Sequence, residues 1–186
     1  MNIGIDIDDV TAEFMSEFLK HFNKKYGTDH VKEELKQFNC LEQLNITRDE
    51  FDQIWFNMMI NHEFYYLKPV VGARVAIDKI SEENQIIFLT NRMMACDTVK
   101  WLELNQIQYD YVFCVKNKNY VIKYVPLDVY IDDRPKYIKE VSEGGVKCIV
   151  FDQPWNRDIQ ETHMIKRAHN WTQIKKLIEE WVKNGR

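Results

Sequence analysis

Five aspartates at the ends of two apolar runs carry the chemistry of this chain. The first run, Asn2-Ile3-Gly4-Ile5-Asp6-Ile7-Asp8-Asp9-Val10, opens the sequence, and the second, Val125-Pro126-Leu127-Asp128-Val129-Tyr130-Ile131-Asp132-Asp133, lies far downstream. Each reads as a short buried strand with its acids at the C-terminal end, the end of an open parallel sheet where ligands bind. Bringing Asp6, Asp8, Asp9, Asp132 and Asp133 together is costly, because like charges at close range oppose mutual ionisation. A divalent cation removes that cost and turns the cluster into a site. Magnesium prefers an octahedron of oxygens and takes one or two carboxylates directly. Asp6 and Asp8 on a chain turning out of a strand can offer a side chain and a backbone carbonyl to one centre, with Asp132 or Asp133 completing the shell.

The elements that position these residues alternate strand and helix. After a strand at Ile3–Ile7, apolar residues at helical spacing from Ala12 to Phe22 predict a helix with Thr11 as its N-cap, stopped by Gly27. From about Asp29 to Tyr66 there is no strand character; Thr47-Arg48-Asp49-Glu50 matches a capping box, opening a helix with Phe51, Ile54, Trp55 and Met58 on one face. A Gly72–Ser81 helix, a Gln85–Thr90 strand, a Thr98–Leu104 helix and a Tyr111–Val115 strand follow. Beyond the strand ending at Asp132 come a helix from Pro135, a Val146–Phe151 strand and a Thr172–Val182 helix. This order predicts an α/β three-layer sandwich with a mainly parallel, Rossmann-like sheet. The expected division is a core of residues 1–13 and 68–186, with residues 14–67 as a small helical cap inserted after the first strand.

A chain of 186 residues suits one such unit. Its formal net charge of −4 argues against a long nucleic acid as partner but not against a small phosphate ligand. Cys40, Cys96, Cys114 and Cys148 are isolated, without metal-ligand spacing, and read as free thiols. With no apolar run long enough to span a bilayer and a strand in place of a leader, the expectation is a cytoplasmic protein without a membrane partner. Association as a homodimer is left open.

Four motifs in order resemble the haloacid dehalogenase-like superfamily of phosphotransferases: Ile5-Asp6-Ile7-Asp8-Asp9-Val10; Phe88-Leu89-Thr90-Asn91-Arg92; a lysine in Val115-Lys116-Asn117-Lys118-Asn119; and Ile131-Asp132-Asp133-Arg134-Pro135. The resemblance spans nearly the whole chain. It narrows to the 5′(3′)-deoxyribonucleotidases through the DIDDV and IDDRP forms, Lys68-Pro69-Val70-Val71-Gly72-Ala73 and Phe151-Asp152-Gln153-Pro154-Trp155-Asn156-Arg157. It implies a magnesium-dependent phosphatase acting on a small phosphate monoester, a nucleotide first. Asp6 would accept the phosphoryl group and Asp8 would act as general acid, then base. Thr90 and the Asn91 amide would bind phosphate, with Arg92 also on the substrate side. Asp133 would ligate magnesium with Asp6 and the Asp8 carbonyl, Asp132 would support it, and Phe14 would stack on the base. The motif lysine is Lys118 or Lys116, with Lys118 preferred at the start of the next helix. Asp9 stands where many members carry glycine, and Arg92 departs from the deoxyribonucleotidase pattern.

Several of these residues have simpler explanations. Thr90 could be a helix N-cap, and Arg134 could steady the aspartates or lie on the surface. Phe14, Phe18 and Phe22 form a core stripe from which only Phe14 takes a ligand role, and Trp55, Phe64 and Tyr65 read first as packing within the insert. Two other functions fit the fold: a phosphatase for another small ester, and a non-catalytic phosphate-binding protein. Complete motifs favour an enzyme over the second, and the insert's aromatics favour a flat base over a sugar.

Overall fold

The computed structural model describes residues 1–184. Six strands, β1 (Asn2–Ile5), β2 (Gln85–Thr90), β3 (Tyr111–Cys114), β4 (Val129–Asp132), β5 (Lys147–Phe151) and β6 (Ile165–Ala168), form one sheet in the order β3-β2-β1-β4-β5-β6. Every pairing is parallel. The helices are α1 (Phe14–Tyr26), α2 (Arg48–Ile60), α3 (Ala73–Ser81), α4 (Ala95–Leu104), α5 (Asn119–Ile122), α6 (Pro135–Glu143) and α7 (Trp171–Asn184). The chain builds outward from β1 to β3, returns to lay β4 on the other side of β1, and continues to β6. The order therefore reverses between β1 and β4, and a crevice opens at the carboxyl ends of those two strands.

Strand alternation explains why both faces are covered. Ile86 and Phe88 of β2 join Ile3, Ile5, Val129 and Ile131 in the larger core, against α3, α4 and α7. Ile87 and Leu89 point the other way, to Tyr130, Cys148 and Val150, against α6. A sheet buried on both sides reads as unbroken apolar runs rather than alternation, as the inner strands and β5 do here. Gly4 sits where the second layer presses closest: a Cβ there would lie 2.8 Å from Leu127 Cδ1 and 3.0 Å from the Tyr130 ring.

Several boundaries differ from the sequence reading. Helix α1 starts at Phe14, not at Ala12, and Thr11 does not cap it; the Thr11 hydroxyl donates to the Asp6 carbonyl at 2.8 Å. Asp9 takes over that role, accepting from the Met15 N–H with both carboxylate oxygens at 3.1 Å. The capping box at Thr47 and Glu50 and the left-handed stop at Gly27 (φ 67°) form as read. β6 is absent from the sequence reading: Ile165-Lys166-Arg167-Ala168 has no apolar run, yet it pairs with β5 at the sheet edge. Cys40 and Cys148 are buried, Cys114 is half-buried and Cys96 is exposed, and all four are free thiols. Among the described residues no helix is long and apolar enough to cross a membrane.

Crowding at Gly4 sets a stability prediction. Gly4→Val should cost about 1–3 kcal/mol through overpacking of the central strand, read as a lowered urea midpoint with an unchanged slope.

Candidate active site

β1 ends at Ile5, and Asp6, still bonded through its N–H to the Ile131 carbonyl (2.9 Å), is the first residue past the strand. The chain then turns tightly, with the N–H groups of Thr11 and Ala12 both reaching the Ile7 carbonyl at 2.8 Å. Asp9 makes the turn possible by adopting φ 58°, a left-handed conformation that aspartate tolerates better than most non-glycine residues. Across the switch point β4 ends on Asp132, with Asp133 next. One carboxylate oxygen from each of Asp6, Asp132 and Asp133 lies within 4.8 Å of the others, and all three residues are buried.

Lys118 lies at the centre of this group. It is 1% exposed, and its Nζ contacts Asp6 Oδ1 at 2.7 Å and Asp132 Oδ2 at 2.8 Å. Lys116 is exposed on the rim, so of the two candidates only Lys118 meets the aspartates. Burial opposes charge on Lys118, but the two carboxylates overcome it and hold the ammonium above its ordinary range. Asp132 is fully committed: Oδ2 accepts from Lys118 and the Tyr130 hydroxyl, and Oδ1 accepts from the Arg134 N–H at 2.7 Å. It stands behind Lys118 rather than offering a free oxygen. Asp6 Oδ1 accepts from Lys118 and the Ile7 N–H (2.7 Å), which leaves Oδ2 without a partner among the described residues. Asp133 Oδ2 accepts from the Trp155 indole N–H at 2.8 Å, and its Oδ1 likewise has no partner among the described residues.

The charge balance is unfavourable without a cation. Burial raises Asp6 to about 7, Lys118 counteracts, and Asp132 and Asp8 push it further up. Burial also holds Asp133 well above the carboxylate range, aided by Asp132 and Asp6. Burial likewise lifts Asp9 to about 8 against the pull of Lys32, whose Nζ lies 3.8 Å away. Crowded hard oxygens, two of them unclaimed, suit a small divalent cation such as magnesium.

Asp8 is half-buried and does not join the lysine. Its Oδ1 accepts from Arg92 Nε (3.0 Å) and Nη2 (2.7 Å). Arg92 is 4% exposed, with its guanidinium over the rings of Phe64 (5.0 Å) and Trp101 (5.3 Å), and its Nη1 is buried without a partner. It reaches the cavity wall but spends its hydrogen bonds on Asp8. Thr90 is wholly buried, its Oγ1 accepting from the Arg92 N–H (3.1 Å), so it orders the loop after β2. The Asn91 side-chain amide ties that loop to the carbonyls of Val115 (2.8 Å) and Lys116 (3.1 Å). The Arg134 guanidinium is stacked over Phe38 (4.6 Å) and Tyr137 (5.0 Å).

The aspartates open into a cavity of about 870 Å³. Its walls away from the carboxylates include Phe14, Phe38, Phe51, Trp55 and Phe56 from the insert. Phe14 lies nearly parallel to Phe64 at 5.9 Å, and Phe64 sits behind it rather than on that wall. The tightest support of the site is the loop after β5, residues 153–157, whose side-chain roles the sequence does not show. Gln153 Nε2 donates to the Asp9 carbonyl (2.6 Å), and Asn156 Nδ2 donates to the Asp133 carbonyl (2.8 Å). The one signal available was its place after a strand end.

Buried acids on parallel strand tips thus surround a buried lysine and face an aromatic-walled cavity on a three-layer α/β fold. A solved haloacid dehalogenase-like hydrolase from Streptococcus pneumoniae superposes with a TM-score of 0.70 at 12% identity, over 95% of this chain and 97% of that one, a likeness of fold. The family model described as 5′ nucleotidase, deoxy (Pyrimidine), cytosolic type C protein matches residues 1–184, and the chain belongs to that family. It is similar to a nucleotidase of Clostridium acetobutylicum, 24% identical over 185 residues covering 96% of this chain and 94% of the relative. A "Putative 5′(3′)-deoxyribonucleotidase" of Chlorobaculum tepidum is 26% identical over 193 residues, 97% of this chain and 91% of the relative. The chain is a phosphoric monoester hydrolase of this nucleotidase family.

The buried ion triad sets the next prediction. Lys118→Met leaves Asp6 and Asp132 adjacent without their cation, and should destabilise the protein by about 3–5 kcal/mol. A thermal melt without added metal checks it.

Proposed function

We propose that the protein is a magnesium-dependent phosphatase for nucleoside monophosphates, deoxyribonucleotides first, working through an aspartyl phosphate on Asp6. The observation that carries this reading is Asp6 itself. Its Oδ1 is pinned by Lys118 and the Ile7 N–H, while its unclaimed Oδ2 belongs to a residue that lines a cavity walled elsewhere by aromatic rings. Support comes also from the deoxynucleotidase description of the family and the name borne by the Chlorobaculum relative.

Asp6, Asp133 and the Asp8 carbonyl would hold the magnesium. Bound there, the ion supplies positive charge to the phosphoryl oxygens as negative charge builds on them. A carboxylate oxygen of Asp6 attacks phosphorus while the bond to the nucleoside oxygen breaks, and Asp8 gives that oxygen a proton. Asp8 then takes a proton from water as the water oxygen attacks phosphorus, which releases phosphate and restores the Asp6 carboxylate. Arg92 positions Asp8 through its two donors to Oδ1, and Lys118 fixes the attacking group. Thr90 and Asn91 shape the loop that would receive the phosphate oxygens.

In this reading residues 14–67 act as a cap over the core of residues 1–13 and 68–186, with Phe14 against the base and the insert's rings around it. Four free cysteines suit the reducing cytoplasm as its place of action.

Three outcomes are expected. Asp6→Asn keeps the fold by circular dichroism but loses turnover, and retained hydrolysis would remove the covalent mechanism. Phosphate release from a panel of deoxyribo- and ribonucleoside monophosphates and sugar phosphates, with magnesium and with EDTA, should be led by deoxynucleotides and stop with EDTA. Release from sugar phosphates alone would keep the chemistry and discard the nucleotidase. Phe14→Ala should lower kcat/KM for the best nucleotide about tenfold or more, given about 1–3 kcal/mol for a base stacked on an aromatic ring.

A further inference from the structure

Two donors grip Asp133 from one short turn, Pro154–Asn156. The Trp155 indole N–H takes Oδ2 at 2.8 Å, and Asn156 Nδ2 takes the main-chain carbonyl at 2.8 Å. Trp155 is 5% exposed and Asn156 fully buried, so neither donor has a ready substitute in water. The turn is itself braced. Asn156 Oδ1 accepts from the Gln153 N–H (3.1 Å) and from Arg167 Nη1 (2.9 Å), and Arg167 Nη2 reaches the carbonyls of Asn156 and Ile159 at 2.9 Å. From the insert, Phe38 lies edge-on to Trp155 with ring centroids 6.4 Å apart.

The consequence is geometric. A bidentate Asp133 would have to share Oδ2 between the cation and the buried indole N–H, which weakens both contacts. On Asp6, Lys118 and the Ile7 N–H already occupy Oδ1. Each carboxylate facing the cation site thus has one oxygen free of other partners among the described residues. Magnesium, small and strictly octahedral, is content with single oxygens and waters, whereas calcium is larger and draws on bidentate carboxylates to reach six to eight ligands. We propose that Trp155 is a positioning residue that makes the site select magnesium over calcium by competing for Asp133 Oδ2 and so favouring one-oxygen binding. This rests on the magnesium reading given above.

The test is calorimetric titration of the metal-free full chain with magnesium chloride and, separately, calcium chloride. Three proteins are compared: the natural sequence, Trp155→Phe, and a protein carrying at position 155 alone the benzothienyl analogue of tryptophan, in which sulfur replaces the N–H with the ring shape kept. The natural protein should bind magnesium more tightly than calcium. Losing the N–H should raise the magnesium Kd about 10- to 100-fold, the usual effect of removing a group that orients a ligand, and shrink the preference over calcium at least tenfold. If the phenylalanine variant does not fold, the isosteric analogue gives the answer. An unchanged magnesium-to-calcium ratio in the analogue would overturn the proposal, as would equal affinity for both ions in the natural protein. Absence of any magnesium binding by the natural protein would instead overturn the parent reading.

Discussion

A lysine ammonium buried between two carboxylates is the constraint around which this site is built. Parallel strands that meet at a topological switch point deliver their ends side by side, so Asp6 and Asp132 arrive in a place with little water. Burying a charge is tolerable only with an opposite charge and a full set of hydrogen bonds. Lys118 provides the first, while the Ile7 and Arg134 N–H groups and the Tyr130 hydroxyl provide the second. The balance is incomplete: Asp6 stays raised to about 7 and Asp133 well above its ordinary value. The fold keeps an electrostatic deficit that a cation beside Asp6 and Asp133 would relieve.

Around that triad the other charged groups are arranged in pairs. Arg92 sits between the rings of Phe64 and Trp101 and turns its donors on Asp8, so the second aspartate of the first motif is held by a different cation from the first. Lys32, from the insert, reaches Asp9 and Glu13 (3.2 Å) at the start of α1. Three acids within four residues of sequence, Asp6, Asp8 and Asp9, thus answer to three separate cations, Lys118, Arg92 and Lys32.

Much of this was legible in the sequence, for identifiable reasons. Apolar runs ending in acids gave β1 and β4 and the motif order gave the site, because strands buried on both faces announce themselves by composition. Gly27 and the Thr47–Glu50 box ended and began helices as their local chemistry requires. What stayed hidden depended on distant partners. Thr11 has the right chemistry for an N-cap, but its hydroxyl is drawn to the Asp6 carbonyl, and Asp9 reaches forward instead. β6 was unreadable because Lys166 and Arg167 give it no apolar signature; it is a strand through pairing with β5, and Arg167 is kept by Asp152 at 2.7 Å. Trp155 and Asn156 had no local mark of their role either, since their acceptor lies on another strand.

The stem of the insert has a consequence of its own. The chain leaves and rejoins the sheet region at adjacent points: Ala12 bridges Pro69, the Glu13 N–H meets the Lys68 carbonyl at 2.8 Å, and the Val70 N–H meets the Thr11 carbonyl at 2.8 Å. Residues 14–67 can vary without touching the strand pairings, which all lie outside them. Descent with modification can therefore rewrite the aromatic wall of the cavity, provided that Lys32 keeps its place beside Asp9 and Phe64 its place under Arg92. A graft of a different segment across the same two points is the equivalent operation in the laboratory.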